Sequence, residues 1–335
     1  MTKTVIPMHL AFDEIASKVG SIGQVARADL LQYEDGPSRG TRLIRVQTGG
    51  GLTFDVHPDR GGDIGAASFR GANLTWLSPA GFPTPGLRTS DDTQWLRTFG
   101  GGLLTTCGLT AFGPPGEDQF GSHGLHGRYS SLPAAIETLK CTPSGIEITL
   151  KVHEHSVLSE NLENHRRIFA PTFGNTIRLQ DEVTNLGSSS KPLMVLYHCN
   201  FGWPLVDTSA TISSNGKASA HSQKTGTWNE ILPPKKGFIE EVYRHDFRDS
   251  IGEATISNPE LGISAQVSFD RGSLPVMYQW RLLDEREYVI GLEPASCPGL
   301  VGREQAAKSG SLDMLEPGET RSFVVEFSFE DRRAH

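Results

Sequence analysis

Glycine and proline divide this 335-residue chain into short segments, and the frequency of these turn-forming residues restricts the possible folds more than any other feature of the sequence. The chain contains 37 glycines and 20 prolines, and the residues between them form runs rich in Val, Ile, Thr and Phe. Short β-forming runs bounded by turn residues are typical of many strands rather than of long helices. The sequence therefore predicts an all-β fold.

Nine segments have the length and composition of strands. We expect them at residues 41–47, 52–57, 145–153, 175–184, 192–198, 264–269, 276–282, 288–292 and 321–329. Helix is expected only at residues 10–19 and around Gln305, where apolar positions fit a period of 3.6. No low-complexity linker or 20- to 50-residue repeat divides the chain. We therefore expect one β-sandwich-like domain over 1–335, with residues 1–39 as an extension whose short helix packs on the sandwich.

The charge balance excludes two classes of partner. A formal net charge of -8 without a basic stripe argues against binding to nucleic acid or to an anionic membrane surface. The N-terminal segment lacks the pattern of a secretory leader, and no apolar run approaches the roughly 20 residues that span a bilayer. The four cysteines form no C-x-x-C pair, so we expect neither a zinc knuckle nor a disulfide framework. A soluble cytoplasmic protein is the expectation.

The first candidate motif is the segment GSHGLHGRYSSLPA at residues 121–134. Glycines at 124 and 127 permit backbone angles that a side chain forbids, and they let a ligand approach closely. His126 and Arg128 would then face a site. The alternative is a histidine that only makes local hydrogen bonds within a turn.

Two further segments place polar residues at strand ends. An apolar strand runs into His198, followed by Asn200 and Trp203, and a second β-rich run ends at Glu293. A carboxylate at such a position is costly to bury unless it is paired or used. The alternatives are a core histidine with satisfied hydrogen bonds and an exposed turn glutamate.

Together and in this order, these segments resemble the aldose 1-epimerase (galactose mutarotase) family. The resemblance rests on LHG at 125–127, on H-x-x-F at 198–201 and on LEP at 292–294. With TFGGGLLTTCGL at 98–109, the pattern is most similar to an uncharacterised branch of mutarotase-like proteins. The resemblance implies a β-supersandwich with its site on the concave face of one large antiparallel sheet.

The resemblance also implies a reaction, the interconversion of the anomers of a free aldose by acid/base ring opening. Glu293 would be the base for the anomeric hydroxyl, His198 the acid for the ring oxygen, and His126 would bind the ring oxygen or a neighbouring hydroxyl. The partner would be a small-molecule sugar, and a homodimer stays open. The reaction needs no metal, nucleotide or redox cofactor.

Two elements of the family pattern are missing from this sequence. The substrate-binding arginine of a G-R-Y-A-N segment has no match, so Arg97 and Arg128 are the candidates for its role. The hydroxyl-binding aspartate of a D-H-N segment also lacks a clean match, and His245 and Asp246 in EEVYRHDF are the nearest candidates. The identity of the sugar is therefore open.

Three residues are further candidates for sugar binding. Trp203 and Trp280 would offer aromatic faces on which a pyranose can stack, although a tryptophan at a strand end is more often a core residue. Asn200 completes this set because it follows His198 at the strand end.

Other functions stay open from the sequence. One is a carbohydrate-binding protein without catalysis, and another is a sugar lyase or hydrolase on the same scaffold, for which Tyr129 beside Arg128 would be relevant. His153 and His155 could begin a metal site, but no third ligand is evident, so a solvated strand face is favoured and no metal is expected. The glycine runs lack the features of a phosphate loop, and there is no G-x-S-x-G motif.

Overall fold

The structure of the protein, a computed structural model, describes residues 12–84, 94–222, 226–298 and 300–332. Within these ranges the chain forms mainly antiparallel strands, joined by three short helices. The helices are α1 (Phe12–Ala16), α2 (Gln94–Thr98) and α3 (Arg303–Lys308). The strands are β1 (Arg27–Gln32), β2 (Arg42–Gln47), β3 (Leu52–His57), β4 (Asp63–Phe69), β5 (Ala72–Asn73), β6 (Thr105–Cys107), β7 (Gly116–Asp118), β8 (Gly121–His123), β9 (Ala134–Cys141), β10 (Gly145–His155), β11 (Asn161–Pro171), β12 (Thr176–Asn185), β13 (Lys191–Leu193), β14 (Leu196–Gly202), β15 (Thr211–Ser214), β16 (Lys217–Ala220), β17 (Glu241–Asp246), β18 (Ile251–Asn258), β19 (Ile263–Asp270), β20 (Val276–Asp284), β21 (Glu287–Ala295), β22 (Asp313–Leu315) and β23 (Thr320–Asp331).

Three sheets make up most of the molecule. The largest has eight strands in the order β15-β18-β19-β23-β12-β11-β10-β9, and a five-stranded sheet runs from β1 to β5 in sequence order. A six-stranded sheet has the order β16-β17-β20-β21-β14-β6. Two-stranded ribbons pair β13 with β22 and β7 with β8. The all-β supersandwich predicted from the sequence is confirmed.

The burial pattern of the strands shows which sheet is covered on one face and which is covered on both. β10, β11, β12 and β23 alternate between buried and more exposed residues, so one face of the eight-stranded sheet lies on the core and the other faces solvent. Every residue of β14 is buried, and β21 is buried from its third residue onward. The centre of the six-stranded sheet is therefore covered on both faces.

The two faces of that sheet contact different apolar clusters. Tyr197, Cys199 and Phe201 of β14 point into the main core between the sheets. On the other face, Leu196 belongs to a second cluster with residues of α2 and α3, including Trp95. The candidate functional residues lie on this second face.

A buried ionic network joins the three sheets behind that face. Arg166 of β11 donates to both carboxylate oxygens of Asp181 on β12, at 2.8 and 2.7 Å. It also donates to Asp63 of β4 at 3.1 Å and to the Thr106 hydroxyl of β6 at 2.8 Å. The hydroxyl of Tyr197 on β14 donates to Asp181 at 2.7 Å. One guanidinium thus links the eight-, five- and six-stranded sheets.

Most of the predicted elements are present, with changes at their ends. The segment predicted at 192–198 is divided between β13 and β14, and Glu293 lies inside β21 rather than after a strand. The helix expected near Gln305 is α3, whereas the helix expected at 10–19 is seen as α1 over Phe12–Ala16, with residues 10 and 11 outside the described ranges. The segment that contains Arg97 forms α2, which the sequence did not predict. Residues 27–32 form β1, the edge strand of the five-stranded sheet.

No helix in the described ranges has the length and apolar character needed to cross a membrane. Cys107, Cys199 and Cys297 are buried, and Cys141 is exposed.

Candidate active site

The pairing of β14 with β21 brings His198 and Glu293 together. Leu196 lies opposite Ala295 and Cys199 opposite Leu292, so the histidine and the glutamate occupy facing positions of the same ladder. Side chains on facing positions of neighbouring strands lie close together. His198 Nε2 is 3.3 Å from Glu293 Oε1, and both side chains are almost fully buried.

Burial shifts the pKa of each member of this pair toward its neutral form. Loss of solvation, together with the neighbouring His126, lowers the pKa of His198 to about 3. Loss of solvation, with a smaller contribution from the negative charge of Glu240, raises the pKa of Glu293 well above its usual value. Both shifts favour the neutral imidazole and the protonated carboxyl group, and two groups whose pKa values are strongly shifted indicate a functional site.

Aromatic rings surround His198. Phe99 and Trp280 have ring centroids 5.0 and 5.3 Å from the imidazole, and Trp95 is 6.0 Å away. The Nδ1 atom of His198 is buried and has no hydrogen-bond partner. This apolar wall is the physical cause of the low imidazole pKa, because it removes water without supplying a compensating charge.

His126 reaches the same place from a loop. Its backbone has a φ of +56°, a left-handed conformation that is unusual for a residue with a side chain. The Gly113 N–H donates to His126 Nδ1 at 3.5 Å, so the neutral imidazole keeps its own proton on Nε2. The ring centroid lies 6.1 Å from that of His198 and 4.6 Å from that of Trp95. Burial lowers the pKa of His126 to about 4, which makes it a neutral hydrogen-bond donor.

The glycine after His126 has a steric role that the sequence motif suggested. Gly127 has a φ of +70°, and a Cβ at this position would lie 2.5 Å from the carbonyl oxygen of Ala111. Only glycine fits here without moving the backbone. The LHG turn therefore holds His126 by close backbone packing.

These residues line a cavity of about 610 Å³, which is within the range of small-molecule sites. His126, His198 and Glu293 contribute polar atoms, and Trp76, Trp95 and Trp280 contribute apolar surface. The indole N–H of Trp280 donates to Glu240 at 2.8 Å, and Glu240 also lines the cavity. The cavity thus combines convergent acid/base groups with aromatic walls.

Gly291 leaves room for the glutamate. It precedes Glu293 by two residues on β21 and faces the same side of the sheet. A Cβ at Gly291 would lie 2.5 Å from Glu293 Oε1 and 3.2 Å from Trp280 Cβ. The absence of a side chain at this position therefore determines where the carboxyl group and the indole can lie.

Four of the residues predicted from the sequence meet at this cavity, namely His126, His198, Trp280 and Glu293. The structure places the two arginine candidates elsewhere. Arg97 is exposed on α2, and Arg128 is half exposed, with Nη1 3.8 Å from Glu160 Oε1. Neither lines the cavity, so the expectation that one of them supplies positive charge to the site is corrected.

The other candidates outside the cavity have identifiable structural environments. Asn200 is buried and donates to the carbonyl oxygens of Gly102 and His198, which fixes the end of β14. Trp203 is 66% exposed. These two residues support or border the strand rather than line the cavity.

The histidine and aspartate of EEVYRHDF also lie away from the cavity. His245 lies opposite the core residue Met277, and its Nε2 is 3.0 Å from Gln279 Oε1. Asp246 is exposed and paired with Arg244 at 2.6 Å. The acidic residue of this segment that reaches the cavity is Glu240, because it shares the face of Val242 in the two-residue period of β17.

Sequence reasoning missed several lining residues, among them Glu240, Glu287, Trp76 and Ser78. Glu240 is the first residue of EEVYRHDF, the segment that supplied His245 and Asp246, and a two-residue alternation through Val242 would have marked it. Trp76 and Ser78 lie in a loop whose position depends on tertiary packing, so no local signal marks them.

The H-x-H pair lies on the solvent-facing side of a strand. This is the alternative that the sequence favoured over a metal site. His153 and His155 are exposed on β10, and His153 Nε2 is 2.8 Å from Glu163 Oε2. Across the described part of the chain, no cluster of three or more His, Cys, Asp or Glu side chains is arranged to hold a metal ion.

Comparison with known proteins gives a family for the chain. A family described as a domain of unknown function, DUF4432, matches residues 38–329. The chain belongs to the DUF4432 family. This DUF4432 protein has no match among curated proteins.

Solved structures show the fold of this DUF4432 protein more specifically. A Klebsiella pneumoniae protein, provisionally named an aldose 1-epimerase, superimposes with a TM-score of 0.82 at 22% identity, over 91% of this chain and 84% of its own. A galactose mutarotase-like protein from Clostridium acetobutylicum gives 0.64 at 14% identity, over 92% and 99%. A galactose mutarotase related enzyme from Lactobacillus acidophilus gives 0.60 at 10% identity, over 91% and 98%. The fold is therefore galactose mutarotase-like.

Proposed function

We propose that this protein is an isomerase of the aldose 1-epimerase type, which interconverts the anomers of a free aldose. The observation that carries this proposal is the His198–Glu293 pair, 3.3 Å apart at the deep end of an aromatic-walled cavity. Hemiacetal opening requires an acid and a base within reach of one sugar, and this buried pair offers both.

The reaction needs two proton transfers and no other reagent. A base takes the proton of the anomeric hydroxyl, the bond from the anomeric carbon to the ring oxygen breaks, and an acid protonates that oxygen. Rotation about one carbon–carbon bond then exposes the other face of the aldehyde, and the reverse transfers close the ring as the other anomer. The enzyme returns to its starting protonation state.

The shifted pKa values indicate the protonation state in which the His198–Glu293 pair begins the reaction. With Glu293 as the base and His198 as the acid, the proton that the unliganded pair keeps on the carboxyl group must first pass to the imidazole. Nε2 and Oε1 are 3.3 Å apart and Oε1 has no hydrogen-bond partner, so the two groups must come slightly closer for this transfer when a sugar hydroxyl hydrogen-bonds the carboxyl group. A hydrogen bond to the charged form lowers the pKa of the carboxyl group and so favours the transfer.

The remaining cavity residues suit the positioning of a pyranose. His126 carries a proton on Nε2 and can donate it in a hydrogen bond to the ring oxygen or to a neighbouring hydroxyl. Trp280 supplies an aromatic face beside His198, on which the C–H-rich face of a sugar can pack.

The direct test is proton-exchange NMR of anomers across a panel of free aldoses, because it detects mutarotation of any sugar without a coupled enzyme. Exchange faster than in buffer alone for at least one aldose supports the proposal. Binding of a sugar without faster exchange would assign the cavity to a non-catalytic carbohydrate-binding protein. A product with a cleaved glycosidic bond would assign it to a lyase or hydrolase.

The substitution His126→Asn separates binding from chemistry. Asparagine tolerates the left-handed backbone of this position better than most residues, so the turn should survive. We expect the sugar dissociation constant to rise at least as much as the exchange rate falls, measured by titration and by exchange NMR. A large loss of rate with unchanged affinity would instead place His126 among the groups that transfer protons.

The substitution Gly291→Ala tests whether the position of the carboxyl group matters. The added methyl displaces Glu293 or Trp280, and a shift of about 1 Å can cost about 10²-fold in rate. We expect anomer exchange to fall by at least about tenfold. Gly20→Ala is the control, because nothing lies within 4 Å of an added Cβ there. Equal activity of the two variants would contradict the proposed geometry.

A further inference from the structure

The cavity is elongated along β21, with the acid/base pair at one end. Its lining includes both Glu293 and Glu287, which are six residues apart on this strand. At about 3.3 Å per residue, these positions are separated by about 20 Å. A pyranose ring with its hydroxyls is about four carbon–carbon bond lengths across, or ~6 Å. One sugar ring therefore occupies only part of this length.

Exposure changes steadily along the same line. Glu293 is buried at the deep end, Trp280 and Leu282 are partly exposed, and Glu287 is exposed. Trp280 lies opposite Gly291 and Leu282 opposite Val289 in the β20–β21 ladder, so Trp280 and Leu282 form a floor that runs beside β21 from Glu293 toward Glu287. The cavity is thus a groove that is closed at its reactive end and open to solvent at the other.

The chemistry of the open part is also specific. Glu240, which accepts a hydrogen bond from Trp280, and Glu287 supply carboxylates, while Trp280 and Leu282 supply apolar surface. Carboxylates accept hydrogen bonds from sugar hydroxyls, and aromatic faces pack against pyranose C–H groups. A phosphate or uronate group here would face like charges.

From this arrangement we infer that the substrate is a neutral oligosaccharide, whose reducing-end aldose reaches His198 and Glu293 beside Trp280 while a second sugar unit lies over Leu282 toward Glu287. The inference rests on the proposed function and adds the substrate class. The reducing end enters first because only that end carries the free anomeric hydroxyl. The second unit adds contacts without changing the chemistry at the closed end.

The test compares each accepted free aldose with disaccharides that carry the same aldose at the reducing end. The probes are glucose with maltose, cellobiose and lactose, galactose with galactobiose, mannose with mannobiose, and xylose with xylobiose. We expect kcat/KM for at least one disaccharide to exceed that of its free aldose by about tenfold, the effect of one hydrogen bond to a charged group. Disaccharides that are all equal to or poorer than the free aldoses, or a preference for hexose 6-phosphates, would overturn the inference.

A pair of variants in one hairpin locates the effect. Glu287→Ala should reduce the disaccharide-to-monosaccharide ratio of kcat/KM by at least about threefold, because it removes a hydrogen-bond acceptor at the open end. Glu285→Ala, two residues away, exposed and outside the cavity lining, should leave that ratio unchanged. An unchanged ratio in both variants would count against the second-unit position.

A binding measurement separates this inference from the proposed function. Trp280 lies in the groove floor, so tryptophan fluorescence can follow sugar binding without any turnover. If no sugar shows faster anomer exchange, the proposed function fails. Tighter binding of a disaccharide than of its free aldose would still support the groove, and equal or weaker binding would overturn it.

Discussion

Glu293→Gln abolishes most of the anomer exchange while it leaves sugar binding nearly intact; this is the largest kinetic effect that we expect. Glutamine keeps the shape of the side chain and most of its hydrogen bonds, but it cannot take or carry the transferred proton. General acid/base groups typically contribute about 10²–10⁴-fold, so turnover should fall by about 10²-fold or more. The measurements are the exchange rate by NMR and the sugar dissociation constant by titration.

The control for this variant is a glutamate on the far side of the molecule. Glu182 is exposed on β12 of the eight-stranded sheet and does not line the cavity. Glu182→Gln should exchange anomers at the rate of the unmodified protein. A fully active Glu293→Gln protein would show that another group takes the proton, and it would remove the pair from the mechanism.

The largest effect on stability is expected from Arg166→Met. The substitution removes the guanidinium that pairs with both Asp63 and Asp181, and it leaves two buried carboxyl groups without that partner. Removing one member of a buried ion pair typically costs about 3–5 kcal/mol. We expect a loss of this size in the free energy of unfolding, measured from urea transitions followed by tryptophan fluorescence.

Arg167 provides a matched control in the next position of β11. Its side chain is 54% exposed and pairs with Glu147 at 2.6 Å on the solvent face. Exposed pairs contribute about 0–1 kcal/mol, so Arg167→Met should shift the urea midpoint little. Similar shifts for both variants would mean that the buried network does not hold the sheets together.

The fold was predictable because its signal is local. Turn residues and two-residue alternation are properties of neighbouring positions, and they located most of β2, β3, β10, β12 and β23. α2 was not found because it has only five residues, too few for a helical period to show. This helix contributes to the site by packing. The ring of Trp95 in α2 stacks on that of Phe99, the residue after the helix, with the ring centroids 4.1 Å apart.

The site was predictable only where a motif marks it. His126, His198 and Glu293 were placed by the order of three short segments, although nothing local shows that they converge. The arginine assignments failed because they were made by sequence distance from a motif, whereas α2 turns Arg97 outward to solvent. Glu287 had no local signal, because its position at the cavity depends on how far β21 extends along it, about six residues or ~20 Å from Glu293 at the usual rise.

The position of the acid/base pair within the sheet has a consequence for how such a protein can diversify. β14 and β21 are interior strands of the six-stranded sheet, flanked by β6 and β20, and the buried network lies directly behind β14. Ser78 and Leu300, by contrast, reach the cavity from loops, and loops accept insertions and exchanges more readily than interior strands. Substitutions at the mouth should therefore cost little stability, whereas substitutions at the pair that change side-chain size, unlike Glu293→Gln, should disturb the packing of the sandwich. Under the proposed function, selectivity and reactivity are separable traits, and mutational libraries confined to the mouth should yield new sugar preferences with the ring-opening step preserved.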